Sequence, residues 1–320
     1  MKEKIFQIAA AVLLGLALPG AVIRLTASVP EMIPFETTAP AEDQKDAAQQ
    51  GIWVMIDEQL QWMVLEEYLV GVILAEMPTS YDHQALCAQA VVARTYALKR
   101  QRDVRHLKGA VCTDPSCCQA YIDVSQYLDG QGYIEDVEIA REAVSANLGM
   151  VITYDDVLIE ATYYHCSGGR TEEAIAVWGV DYTYLQVVES PGEEELEGYT
   201  ESVFYEKAEL ERRLDRQLPG DPKSWIGWTT YTVGGGVEHM LFAGIQYSGI
   251  ELRSLLELNS TVFTMIPEAD GLRITTFGKG HRVGMSQTGA HAMALRGKTW
   301  QQIIAHYYPG TRIDKMEDVG

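Results

Sequence analysis

After two lysines, Lys2 and Lys4, residues 5–23 are apolar apart from Gln7, with small breaks at Gly15, Pro19 and Gly20. As a helix such a run spans roughly 30 Å, the hydrocarbon thickness of a bilayer. Two lysines before it and only Arg24 directly after it place the N-terminus in the cytoplasm and everything downstream outside. A cleaved signal peptide is the competing reading, but no clear small-x-small site follows the run. A buried core helix is the bland one, and the stretch that follows argues against it. Residues 28–50 (SVPEMIPFETTAPAEDQKDAAQQ) hold three prolines, several acids and almost no periodic apolar positions, the pattern of a solvated linker. The expected organisation is a cytoplasmic tip and transmembrane anchor over 1–27, a disordered linker over 28–50 and a folded part over 51–320.

Within the folded part, residues 53–56 read as a short strand and 65–76 as a helix ended by Pro78, because the residue before a proline is pushed out of the helical region. Residues 82–102 predict a longer helix whose last turns carry Lys99, Arg100 and Arg102, where cations suit the dipole. A helix over 135–147 ends at Gly149, and apolar, β-branched strands follow over 150–154 and 158–165. Residues 202–217 pattern as a helix, 228–233 and 273–277 as strands, and 285–295 and 300–307 as helices. The charge run at 189–201 (ESPGEEELEGYTE) reads as a solvated loop or insertion. Runs of helix, then strand, then helix predict an α+β fold, and no βαβ alternation supports a doubly wound sheet.

Composition removes several classes of function. Among 320 residues, 47% are hydrophobic and 22% charged, which excludes a wholly disordered, collagenous or multi-span membrane protein. Asp plus Glu is 45 against 25 Lys plus Arg, and a net charge of -20 argues against a nucleic-acid partner. Five cysteines in a chain of this length are not a disulfide framework, and three of them, Cys112, Cys117 and Cys118, lie close together.

Three segments carry chemistry. Glu76 falls in the last turn of its helix, where the negative end of the dipole disfavours a carboxylate and raises its pKa, as a general acid requires; a capping or surface role is the bland reading. His106, Cys112 and Cys118 offer one imidazole and two thiolates in HLKGAVCTDPSCCQAY, a donor set suited to Zn2+, with Asp114-Pro115-Ser116 as the turn between the sulfurs; free or disulfide-bonded cysteines are the alternative. Adjacent side chains rarely ligate one ion, so Cys117 is either spare or a disulfide partner of Cys87 or Cys166. The third segment, GKGHRVGMSQ at 278–287, is punctuated by glycines that let a backbone approach a ligand, and it offers His281, Ser286 and Gln287 as polar contacts; a tight strand-to-helix turn is the bland reading. A Ser–His nucleophilic pair from this loop is conceivable, although no G-x-S-x-G elbow is present.

EYLVGVILAEMP, ALCAQAVVARTYAL, TDPSCCQAY, YYHCSGGRTEEAIAVWG, ELRSLLELNS and GKGHRVGMSQTGAHAMALRGKTWQQIIAHYYPGT occur in that order. The series resembles the stage II sporulation protein D family, which also includes amidase enhancers, over about residues 53–312. The resemblance implies an extracytoplasmic catalytic domain with a substrate cleft, held at the mother-cell membrane facing the forespore. It implies a lytic transglycosylase that cuts peptide-stripped peptidoglycan between N-acetylmuramic acid and N-acetylglucosamine during engulfment. Glu76 would be the catalytic acid, Arg94 a supporting site residue, and His106, Cys112 and Cys118 the zinc ligands. The implied partners are glycan strands, the amidase stage II sporulation protein P and the membrane protein stage II sporulation protein M. Two positions depart from the family pattern: Cys87 stands where many members have lysine, and Arg282 where they usually have glycine. Two further readings remain, a non-enzyme that enhances an amidase or binds glycan, and a zinc hydrolase, the latter poorly supported because no H-E-x-x-H is present.

Overall fold

The computed structural model describes residues 49–103 and 105–319. The expected anchor lies outside these residues, as does the linker up to residue 48, and no helix among the described residues is long and apolar enough to cross a membrane.

The helix His83–Asp103 is buried almost all round from Ala85 to Leu98, with alanines spaced so that neighbours approach from every side. A helix without a polar face belongs in the middle of a core. We label the elements of the first core β1 (Gly51–Ile56), β2 (Gln59–Val64), α1 (Leu65–Glu76), α2 (His83–Asp103), β3 (Val111–Cys112), α3 (Val124–Asp129), α4 (Ile134–Ser145), β4 (Met150–Tyr154), β5 (Val157–Leu158), β6 (Tyr163–Tyr164) and α5 (Ala174–Trp178). The chain then builds a second core from β7 (Thr200–Glu206), α6 (Lys207–Arg213), β8 (Ile226–Tyr231), β9 (Val237–Phe242), β10 (Ile245–Ser248), α7 (Gly249–Leu255), β11 (Phe263–Glu268) and β12 (Gly271–Phe277). It returns to the first with β13 (Met285–Ser286), α8 (Gln287–Leu295), α9 (Trp300–Tyr307) and β14 (Arg312–Lys315). In the first core α2 packs on α1, α4, α8, α9 and β4. In the second, Trp225, Phe242, Leu252, Leu256 and Leu272 fill the space under two sheets of order β11-β12-β7 and β10-β9-β8. The fold is α+β, as the pattern predicts.

Helices α1 and α9 and strand β4 have the predicted bounds, and three expectations are corrected. Residues 202–217 are not one helix: 200–206 form β7, paired along its length with β12, and the helix is the short α6. The run TESVFYEKAELERRL has helix-forming acids and bases and no Gly or Pro at the change of direction, so local pattern hides the strand. Residues 158–165 are not one strand either, because the chain leaves β4 at Leu158 and joins β13 in parallel at Tyr163. Third, residues 189–201 are only partly solvated, as the site makes clear. The β1–β2 and β4–β5 hairpins turn on Asp57-Glu58 and Asp155-Asp156, all with positive φ (48°, 64°, 50° and 63°), the turn geometry usually marked by Asn-Gly.

Arg94, expected beside the site, is a core residue. Its guanidinium binds Glu66 in a fork (2.9 and 2.6 Å) and also donates to Asn147 Oδ1 and to the carbonyls of Met150 and Val144. One buried cation thus ties α1, α2, α4 and β4 together. Removing one partner of a buried ion pair strands the other, at about 3–5 kcal/mol. Arg94→Ala is therefore expected to lower the free energy of urea unfolding by about that amount, and a loss under about 1 kcal/mol contradicts this role.

Candidate active site and cysteine cluster

Glu76 closes α1 because Met77, ahead of Pro78, is extended (φ -134°, ψ 140°). The side chain is partly buried at the lining of a cleft of 690 Å3. Its Oε1 accepts the Ala120 N–H (2.8 Å) and the Tyr163 hydroxyl (3.2 Å), while Oε2 has only a long contact to Gln287 Nε2 at 3.5 Å. Tyr163 carries one proton but faces two acceptors, Glu76 and Gln119 Oε1 (3.0 Å), and Gln119 in turn donates to the Tyr68 hydroxyl (2.9 Å). The hydroxyl can therefore serve Gln119 while the carboxyl is neutral and Glu76 once it is ionised. Burial raises the Glu76 pKa, and the bonds from Ala120, Tyr163 and Gln287 oppose it in part. The dominant cause is loss of water.

Ala120 reaches Glu76 because the chain from the cysteine loop lies on α1 at Gly71, where a Cβ would sit 2.4 Å from the Ile122 carbonyl. At the other end of that segment, His106, Cys112, Cys117 and Cys118 place their donor atoms within 4.8 Å of one another. His106 Nε2 is 3.4 Å from Cys117 Sγ and 3.6 Å from Cys118 Sγ. Around tetrahedral zinc, nitrogen and sulfur ligands stand about 3.6 Å apart, so the donor set fits that ion. Cys117 is thus neither spare nor disulfide-bonded: it joins the cluster, and all five cysteines are free. Adjacent residues can converge here because Cys117 and Cys118 sit in a turn whose two amides both donate to the Asp114 carbonyl (3.0 and 2.8 Å). Cys87 is buried in the core, its sulfur 3.4 Å from His83 Nε2, and puts no cation at that position.

The glycine loop serves the protein's own backbone. A Cβ on Gly284 would meet the Thr162 carbonyl at 2.0 Å, and one on Gly278 would meet the Gly168 amide at 2.4 Å, so the loop lies against residues 162–168. His281 lines the cleft, yet its Nε2–H donates to the Tyr163 carbonyl (3.0 Å) and its Nδ1 accepts the Val283 N–H (3.2 Å). Burial pushes its pKa down to about 4, so the imidazole is neutral and committed to positioning the Tyr163 strand. Ser286 is buried; its hydroxyl donates to Glu193 and caps α8 by accepting the Gly289 N–H (3.1 Å). The conceivable Ser–His pair is not formed. Of the three loop residues, Gln287 is the one with a polar contact to Glu76.

Glu193, from the acidic run, is fully buried and also accepts the Ser167 and Gly169 amides (3.1 and 3.2 Å) and the Ser167 hydroxyl. Its neighbours Glu194 and Glu195 are exposed, as the charge run predicts. Arg282 keeps the left-handed backbone (φ 69°) that glycine would supply, so the close approach survives the substitution. Its buried guanidinium donates to the carbonyls of Ser167, Arg170 and Gly234 and pairs with Glu172. Tyr163, Gln119 and Ala120 were not singled out in the sequence; the paired tyrosines of YYHC and the motif CQAY were the available signals.

The family described as SpoIID: Stage II sporulation protein matches residues 57–154. Stage II sporulation protein D of Bacillus subtilis (strain 168) is 33% identical over 267 residues, 82% of this chain and 77% of that protein. The protein of the same name from Bacillus amyloliquefaciens is 34% identical over 259 residues, 79% of this chain and 75% of that protein. The amidase enhancer of Bacillus subtilis (strain 168) is 27% identical over 300 residues, covering 77% of this chain and 40% of that protein.

Because the Glu76 pKa is raised on folding, the native protein holds a proton that the unfolded chain has released once the pH exceeds the ordinary value of 4.5. Stability attributable to this group therefore falls as pH rises from there through the native pKa, then levels off. Glu76→Gln removes the dependence. The difference in unfolding free energy between variant and wild type should shift in the variant's favour between about pH 4 and pH 8. A flat difference across that range contradicts the raised pKa.

Proposed function

Because the chain belongs to the stage II sporulation protein D family, we propose that it is a sporulation protein that cleaves peptidoglycan glycan strands by lytic transglycosylation, with Glu76 as the single acid–base. The observation that carries this reading is the pairing of one oxygen held with one left open. Oε1 is fixed by Ala120 and Tyr163, and Oε2, with only the 3.5 Å contact, is the oxygen available to carry the proton. That proton goes to the glycosidic oxygen as the bond to C1 of N-acetylmuramic acid breaks. The carboxylate then takes the proton of the same sugar's C6 hydroxyl while that oxygen bonds to C1, which regenerates the acid and gives a 1,6-anhydro end. As Glu76 ionises, the Tyr163 hydroxyl turns from Gln119 to the new negative charge. Glu160, the only other carboxylate among the described residues that line the cleft, is engaged by Arg100, which favours one-acid chemistry over a two-carboxylate hydrolysis.

The proposal includes zinc at His106, Cys112, Cys117 and Cys118. Bound there, the ion would supply a structural cross-link and would hold as a thiolate the Cys118 sulfur, whose pKa burial pushes up to about 12. The residues themselves position chemistry: the turn at Cys117-Cys118 leads directly into Gln119 and Ala120, both of which act around Glu76. The apolar run over 5–23 anchors the protein in the mother-cell membrane with the folded part, 51–320, facing the forespore during engulfment, and the family resemblance supplies the amidase stage II sporulation protein P and stage II sporulation protein M as partners. The name of the amidase enhancer relative favours one alternative, a module that binds glycan and stimulates an amidase without turnover.

Glu76→Gln separates these readings. It should fold, bind glycan and lose cleavage of peptide-free strands by about 10²–10⁴-fold, with anhydromuramoyl ends measured by mass spectrometry per folded molecule. Substantial residual turnover removes the acid role, and wild-type protein that binds strands without cutting them supports the stimulating module. Separately, purified protein should contain about one zinc per chain by elemental analysis, and Cys118→Ser should lose the ion and melt at lower temperature. Folded, active wild type without metal overturns the zinc proposal.

A further inference from the structure

The chain has six tryptophans, and among the described residues Trp178 is the one that lines the Glu76 cleft. It ends α5, whose first residue, Ala174, is buried in the core, and its own side chain is left 43% exposed. A large apolar ring open on a cleft wall forgoes the gain of burial, and a ligand that covers the ring recovers it.

The ring is held at both ends of its short helix. Ahead of α5 the Glu172 amide donates to the Arg282 carbonyl (2.6 Å), and the Glu172 carboxylate pairs with the Arg282 guanidinium. After it Gly179, left-handed at φ 72°, returns its N–H to the Ile175 carbonyl (3.0 Å), and the chain turns so that Val180 and Tyr182 also line the cleft. The indole lies 5.2 Å from the His281 imidazole, which lies 5.4 Å from the Tyr164 ring. His281 holds the Tyr163 carbonyl (3.0 Å), and the hydroxyl at the far end of Tyr163 meets Glu76 (3.2 Å). An unbroken series of contacts therefore joins Trp178 to the Glu76 carboxyl, with the length of a tyrosine between them.

The rest of the lining includes the polar side chains of Thr162, Tyr182, Asn259 and Lys279. A wholly apolar ligand would strip water from such groups and return no hydrogen bond. A pyranose with equatorial substituents has a face of axial C–H groups and a rim of hydroxyls, so it covers an indole and still serves polar neighbours. We infer that Trp178 is the stacking platform for a pyranose ring of the strand remote from the bond that is cut, with His281 fixing the indole in ring contact. This rests on the glycan reading of the cleft. The platform recognises the sugar ring itself, whatever the lactyl group carries. Contact with a ring that does not react is the same before and in the transition state, so its loss raises KM and leaves kcat little changed.

The test begins with full-length wild type. N-bromosuccinimide oxidises exposed indoles, and peptide mass spectrometry reads each tryptophan separately. With peptide-free peptidoglycan strands present, Trp178 should be oxidised several-fold more slowly. Trp62 and Trp228, 57% and 48% exposed and neither of them lining the cleft, should react as before. By calorimetry, Trp178→Ala should bind the strands about tenfold more weakly and Trp178→Phe should keep most of the affinity. In turnover, Trp178→Ala should show a higher KM with kcat little altered. No protection of Trp178 by strands that wild type binds overturns the inference whether or not the variants fold, and so does wild-type affinity in folded Trp178→Ala. Protection without anhydromuramoyl ends overturns the transglycosylase reading and leaves the platform standing. Wild type that binds no strands overturns the glycan reading and the platform with it.

Discussion

The cleft exists because buried charges from distant parts of the chain are satisfied together around the turn at residues 165–172. Arg282 gives its hydrogen bonds to Ser167 and Arg170 of the first core and to Gly234 beside the second, with Glu172 as counter-ion. Glu193 takes the amides of Ser167 and Gly169 and the hydroxyls of Ser167 and Ser286. A guanidinium or carboxylate removed from water is tolerated only when its donors or acceptors are matched, so each part of this network requires the others. The result is a fixed relation between the strand that carries Tyr163, the loop that carries Lys279 and His281, and the helix that begins at Gln287.

A second chain of dependence runs from the cysteine loop to Glu76. Three sulfurs and an imidazole converge at a turn, the following residues lie on α1 where Gly71 leaves room, and the Ala120 amide then meets the carboxyl that ends that helix. A change in the loop is therefore a change in the hydrogen bonding of Glu76, although the donor atoms of the cluster have no bond to it. His281 acts in the same indirect way: both ring nitrogens hold backbone, and the consequence is the placement of the Tyr163 hydroxyl.

Position along the chain is a poor guide to these roles. Arg94 and Glu66 belong to the same motif-rich region as Glu76, yet their fork holds helices together inside the core. Glu193 lies in a run of acids that reads as solvent-exposed, and exposure is correct for Glu194 and Glu195 but wrong for the one residue with four polar groups converging on it. Arg282 breaks the glycine pattern of its loop without breaking the backbone geometry, because it adopts the left-handed conformation and buries its side chain in acceptors.

Periodicity and stop signals by themselves determined α1, α9, β4 and the α+β class, since each of those depends on residues within a turn or two of one another. They also determined that Glu76 ends a helix and that His106, Cys112 and Cys118 supply metal-type donors. Strand β7 was hidden because its partner β12 lies some seventy residues later, and a strand at an acid-rich sheet edge has no local signature of its own. Only the tertiary structure decided that Cys117 joins the cluster, that Arg94 is internal and that Ser286 is a cap. It alone placed the Glu76 carboxyl among the Ala120 amide, the Tyr163 hydroxyl and Gln287, because burial, and with it the protonation and pairing of charged groups, depends on which distant segments exclude water from them.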